Sequence, residues 1–251
     1  MTATEAYRQM LRSLSRSEWE AHLVAHSGLP GPRGNLELAA AVADEATDAQ
    51  LAGWRLLTPE EAPVNAPAEF LVFCGVLGLG RRLATNDRRA LAELRPFAAD
   101  PRWRTREAVA MALQRWGDAD MDALLIAMWE WTQGDAWEQR AAAAGLCEPR
   151  LLRDPEQAIA VLHLLDDITS QLATTPSAAR KTDAFKTLRQ ALGYCWSVAV
   201  VANPETGKPL MEKWLASSDP SVRWIMRENL KKNRLVAMDV TWVKDCQAKS
   251  A

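Results

Sequence analysis

Four aspartates stand four to six residues ahead of four arginines, as Asp100/Arg106, Asp135/Arg140, Asp183/Arg189 and Asp219/Arg223. A carboxylate and a guanidinium so placed can face a cleft and bind a charged ligand. Alternatively they can pair within and between neighbouring structural units. A second group mixes rings and cations. Trp103, Trp116, Trp129, Trp131 and Trp137 fall within 35 residues, among Arg102, Arg104, Arg106 and Arg140. In a nucleic-acid reader such rings stack on bases or sugars while the arginines take phosphate. The same rings also fill gaps between helices, since each buries a large apolar area. Glu18, His22 and His26 share one helix face, but further ligands are not in view and no HExxH is present, so no metal is expected. Neither a glycine-rich phosphate loop nor a Ser/His/Asp or Cys/His arrangement is detectable, and no cofactor is expected.

The spacing of the arginines says what positions these groups. Their steps are 34, 49 and 34 residues, a period that belongs to stacked helical pairs. Three and seven residues after each arginine the chain is apolar: Val109/Leu113, Ala143/Cys147, Leu192/Trp196 and Met226/Leu230. That stripe is the buried face of an amphipathic helix. Nine residues before the arginine stands Phe97, Trp131 or Trp214 in three of the four units. Asp100-Pro101 and Asp219-Pro220 are helix-start signals, Asp as the cap and Pro in the first turn. The long step contains a polar loop, Thr174 to Thr182. In such a register the expected roles are structural: aspartates cap, and Arg106, Arg140, Arg189 and Arg223 form a ladder between repeats. Function then falls to what the register leaves over.

Ahead of the repeats, one helix is expected from Glu5 to Ala25, ended by the Gly/Pro-rich stretch Ser27 to Gly34. Asn35 caps a second helix, a third runs from Asp48 to Leu57, and Pro59 to Pro67 breaks the chain. Phe70 to Leu83 reads as one tightly packed helix with three glycines, and Asp87 to Phe97 as the next. The expected organisation is residues 1–34 packing on a solenoid of residues 35–240, with a tail at 241–251.

Composition agrees with an all-α chain: 48% hydrophobic, and only two Tyr and four Phe beside 11 Trp. Cys74, Cys147, Cys195 and Cys246 are far apart with no CxxC, as expected of buried free thiols in a reducing compartment. No apolar stretch is long enough to span a bilayer and the first residues lack a signal-peptide layout, so a soluble cytoplasmic protein without a membrane partner is expected. Charge is segregated although the net is only −2. Arg81, Arg82, Arg88, Arg102 and Arg104 lie in one basic stretch; Arg223, Arg227, Lys231, Lys232 and Arg234 form another. Between them lies an acidic block from Asp118 to Glu138.

Asp219-Pro220-Ser221-Val222-Arg223 and Asp100-Pro101 through Ala108 resemble the second helix of HEAT repeats, over about residues 87–235. The resemblance implies an α-α superhelix of helical pairs and is almost silent on function. The steps Trp103/Arg106 and Trp137/Arg140 also resemble the HEAT-like alkylpurine DNA glycosylases, which hold DNA on a face lined with Trp, Arg and a catalytic Asp. That resemblance would make Asp135 the catalytic carboxylate, although Asp135 occupies the same cap slot as Asp100 and Asp219. The leading expectation is a non-catalytic scaffold offering a concave face to a protein or nucleic-acid partner. Its binding residues are expected among Trp103, Trp129, Trp137, Arg81, Arg82, Arg88, Arg102 and Arg104. The alternative is a DNA-binding alkylation-repair enzyme; a third is a scaffold whose acidic wall takes a basic peptide.

Overall fold

The structure, a computed structural model, describes residues 1–249. It is all-helical, with no strand among the described residues, and divides into two compact units, Met1–Ala119 and Asp120–Ala251.

Unit 1 contains α1 (Ala3–Ser13), α2 (Trp19–Ala25), α3 (Leu36–Glu45), α4 (Asp48–Arg55), α5 (Glu69–Leu77), α6 (Leu79–Ala84), α7 (Arg89–Leu94) and α8 (Trp103–Ala119). Helix α5 is its centre. All nine of its residues are buried, as a helix apolar on every side requires, and it packs on α3, α4 and α8. Two expected helices are divided. At the N-terminus, Leu14 is extended and Ser15 with Glu18 closes a capping box, so a short 3-10 turn separates α1 from α2. The Ser-x-x-Glu signal lay in the sequence inside an apolar pattern that continued across it. The stretch from Phe70 to Leu83 breaks at Gly78, where a side chain would collide with Leu51. Gly80 brings α6 against the backbone of Ala112 on α8, within 2.8 Å of where a Cβ would sit.

Asp44 ties unit 1 together electrostatically. From α3 its carboxylate accepts hydrogen bonds from Arg8 on α1 and Arg115 on α8, while Arg81 on α6 donates to the backbone carbonyls of Asp44 and Ala46, both at 2.9 Å. Burial pushes the Asp44 carboxyl up, but the bonds from Arg115 and Arg8 outweigh it and hold the group below its ordinary range. Asp87 is brought down to about 2 by Arg89 and Arg82. A carboxyl lowered in the folded state stabilises above its unfolded pKa, about 4, and loses that contribution as pH falls through the folded value. The thermal midpoint should therefore fall between about pH 4 and pH 2. Asp44→Asn should lower the midpoint at pH 7 and flatten that fall; a variant with an undiminished acid response would exclude this role for Asp44.

Unit 2 contains α9 (Met121–Thr132), α10 (Ala136–Leu146), α11 (Pro155–Ala173), α12 (Asp183–Ala202), α13 (Pro204–Leu215), α14 (Pro220–Leu230), α15 (Asn233–Met238) and α16 (Val240–Lys249). Helices α10, α12 and α14 pack in one row; α9, α11 and α13 pack in another, and the rows are joined by contacts between successive helices. The apolar stripe of the register is buried at all four places, one in unit 1 and three in unit 2. Trp131 and Trp214 are buried as well. Asp135, Asp154 and Asp219 are the N-caps of α10, α11 and α14, each accepting two backbone amides. Asp183 is not a cap: Thr182 fills that position for α12, and Asp183 lies in the first turn beside Lys186. The segment read as a tail is helical through Lys249, with Val243 and Cys246 buried.

One buried amide cements α12 to α14. Asn229, with no exposed surface, accepts from Ser197 N at 2.7 Å and donates to Leu192 O and Ile225 O, both at 2.8 Å. Asn229→Leu removes three buried hydrogen bonds and should cost about 2–3 kcal/mol, measured by urea denaturation. A variant as stable as the parent would refute that role.

Candidate binding site

The arginines expected to form a basic binding patch are largely spent inside unit 1. Arg102 is 2% exposed. It forks the Asp100 carboxylate at 2.7 and 2.9 Å and donates to Leu57 O at 3.0 Å. Arg104 is 5% exposed. Arg82 pairs with Asp87 and Glu93, and Arg81 with Asp48. Arg88 lies 4.6 Å over the Trp116 ring and donates to Asn86. Burial places Arg102 and Arg104 out of reach of an external phosphate in this conformation. A sequence charge count treats every arginine as exposed; Asp100 is only two residues from Arg102, but Leu57, Glu69 and Gly31 lie 45, 35 and 73 residues from the arginines they bind.

Arg104 instead completes a closed polar ring. Its Nη2 donates to Gly31 O at 2.6 Å and its Nη1 to Glu69 Oε2 at 3.3 Å. Asn65 N donates to the same carboxylate oxygen at 2.7 Å, and Gly31 N donates to Asn65 Oδ1 at 3.1 Å. Glu69 is fully buried, so the guanidinium compensates a carboxylate shut off from bulk solvent. The ring fastens the Gly/Pro-rich connector to α5 and α8. Gly28, with φ +75°, opens that connector in the left-handed region, and Ser27 closes it by accepting from Asn35 N at 2.8 Å. Tyr7 and His26 O take the Asn35 side-chain amide, while its oxygen caps α3.

The connector so held forms one wall of a pocket of about 180 Å³. Phe70 and Phe73 of α5, their rings parallel with centroids 6.3 Å apart, supply apolar lining. Leu29, Pro32 and Leu36 come from the connector and the start of α3. From α8 come Trp103, Arg104, Glu107 and Met111, a helical stripe on one face. Trp103 is 43% exposed, and the Arg104 guanidinium stacks 4.2 Å from its ring centre. The lining is mostly apolar, with charge confined to Arg33, Arg104 and Glu107. Of the groups expected to bind, Trp103 and Arg104 meet here. The rest of the pocket was not marked in the sequence, because its walls come from three separated segments that carry no motif.

Trp129 and Trp137 lie in unit 2, the first 38% exposed and the second half-buried. Asp135 Oδ1 accepts the amides of Trp137 at 2.8 Å and Glu138 at 3.0 Å, the geometry of a cap. Two of the four register arginines, Arg106 and Arg223, share a local device. Arg106 Nη1 donates to the carbonyls six and five residues back, Asp100 and Pro101, at 2.6 and 3.2 Å. Arg223 Nη1 does the same to Ser217 and Ser218, at 2.9 and 3.0 Å. Each closes the turn before its own helix. Across helices, Arg189 of α12 lies 4.5 Å over Trp224 of α14, and Asp219 pairs with Arg180 at 2.6 Å. Arg140 is buried.

His22 and His26 stack with ring centres 4.0 Å apart, and no cluster able to hold a metal exists among the described residues. All four cysteines are free and buried; burial raises the Cys147 thiol well above its usual range. No helix among the described residues is long and apolar enough to cross a membrane. No family model, curated protein or solved structure matches this chain.

Proposed function

We infer that this chain is a binding protein of HEAT-like repeat construction, and that it anchors a protein partner through one apolar side chain seated in the unit 1 pocket. The carrying observation is the pocket itself, an apolar cleft edged by the half-exposed Trp103 and lined by Arg104, which is held from behind by the buried Glu69. Its volume selects the occupant. A cavity of about 150 Å³ accepts a benzene-sized group, whereas sites for larger ligands run to about 300–1,000 Å³. One aromatic or branched side chain fits, and such anchors dominate protein interfaces when the pocket is pre-formed. The closed ring through Gly31, Asn65, Glu69 and Arg104 supplies that pre-formation.

The repeat reading rests on the arginine register, its buried stripe and the two rows of helices in unit 2. Binding is favoured over DNA repair because Arg102 and Arg104 are buried and Asp135 is engaged as a helix cap.

Gly34 provides the test. A Cβ there meets only Ser27 O at 3.7 Å and Phe70 at 3.9 Å, ordinary contacts, so Gly34→Leu fills the pocket without backbone strain. Peptides selected from a random displayed library on the parent should share one aromatic or branched residue and should fail to bind Gly34→Leu. A library yielding only peptides indifferent to that substitution would rule the pocket out as the anchor site.

A further inference from the structure

Unit 2 carries an array of rings and cations that the pocket does not involve. Gly193 of α12 lets Trp224 of α14 lie across it, 3.2 Å from where a Cβ would be, and Arg189 stacks on that ring from the preceding turn of α12. The next residue, Tyr194, is 45% exposed. Arg234 lies 4.6 Å from the centre of its ring and donates to its hydroxyl, and Lys232 Nζ lies 5.8 Å from the same centre. On α14 and its C-cap, Trp224, Arg227, Glu228 and Lys231 follow at i, i+3, i+4 and i+7, so they share one helix face. Five cations, Arg189, Arg227, Lys231, Lys232 and Arg234, thus lie on these segments beside Glu228, which Lys231 binds.

We propose that this face binds a short acidic polypeptide segment, with Arg227, Lys231, Lys232 and Arg234 taking its carboxylates. Charge complementarity carries the assignment. Among these four, the Arg234 guanidinium is held flat on the Tyr194 ring, an arrangement suited to a planar carboxylate, and Arg227, Lys231 and Lys232 add positive charge beside it. A single-stranded nucleic acid is the weaker fit. Its binding draws on open aromatic faces for base stacking, and here Arg189, Arg234 and Lys232 lie over the rings. The site is independent of the unit 1 pocket, and either can fail without the other.

The test uses the full chain and a fluorescein-labelled octaglutamate peptide, titrated at low and at near-physiological salt. Saturable binding is expected, weakening by roughly tenfold between the two conditions as screening rises. Arg227→Glu with Lys232→Glu should weaken it by at least about tenfold, because repulsion replaces two attractions. Arg153→Glu with Lys181→Glu makes the same change of net charge on exposed residues away from the C-terminal end of α14 and should have a far smaller effect. No binding at low salt, or equal losses in the two double variants, would overturn the proposal. An octathymidylate that binds as tightly as the peptide would overturn it too, in favour of a phosphate backbone as the ligand.

Discussion

Arg104→Ala should destabilise unit 1 by about 3–5 kcal/mol, the largest effect expected of any charged residue in the chain. The reason is what the substitution leaves behind. Glu69 has no exposed surface, and without the guanidinium its carboxylate keeps only the amide of Asn65. Gly31 O loses its partner at 2.6 Å, and the connector loses its tie to α8. The companion substitution separates charge from packing. Arg104→Ala combined with Glu69→Leu removes the orphan carboxylate and should recover much of the loss, because an apolar replacement for a buried ion pair is often close to neutral. Urea midpoints of the parent, both single variants and the double variant complete the cycle. Additive losses would mean that the two side chains do not act as a pair.

Trp196→Ala should cost unit 2 about 3–5 kcal/mol by a different route. The side chain is fully buried in α12, at the seventh position after Arg189, and its Nε1 donates to Thr169 Oγ1 of α11 at 3.1 Å. Removing the indole creates a cavity where the two rows of helices meet. Thr169 still donates to Leu165 O at 2.7 Å, so no donor is orphaned and the cost is chiefly packing. Trp196→Phe should therefore lose far less, about 1 kcal/mol for the hydrogen bond together with a smaller packing defect. Hydrogen exchange should place the loss from Trp196→Ala on α11 and α12, and a loss confined to other helices would contradict the packing argument.

These two residues show how unevenly the sequence could be read. Trp196 was placed by periodicity alone: a fixed step from an arginine, on a stripe that recurs four times, has few alternatives to burial. Asn35, Asp135 and Asp219 were similarly legible, because capping is decided within three residues. The division between α1 and α2 was present as Ser15 and Glu18 but hidden in a continuous apolar pattern. Arg104 was not legible. Its fate depends on Glu69 and Gly31, 35 and 73 residues away, and nothing local distinguishes it from an exposed arginine. The pocket shares that difficulty, since only Trp103 and Arg104 among its walls lie in a conspicuous stretch. A ladder was the expected use of the register arginines. The bonds of Arg106 and Arg223 close their own turns, a role that needs the backbone path and not only residue spacing, while Arg189 reaches across to Trp224 of the neighbouring helix.

The central claim, that the unit 1 pocket receives a single apolar side chain, is tested most directly by methyl and indole NMR during titration with N-acetylphenylalaninamide. Burying one phenyl ring is worth about 1.5–3 kcal/mol, so a Kd of roughly 6–80 mM is expected. The account expects saturable shifts at the Met111 methyl and the Trp103 indole, both at the pocket, and their loss in Gly34→Leu. Shifts that never saturate, or that persist unchanged when Gly34→Leu fills the cleft, would contradict it.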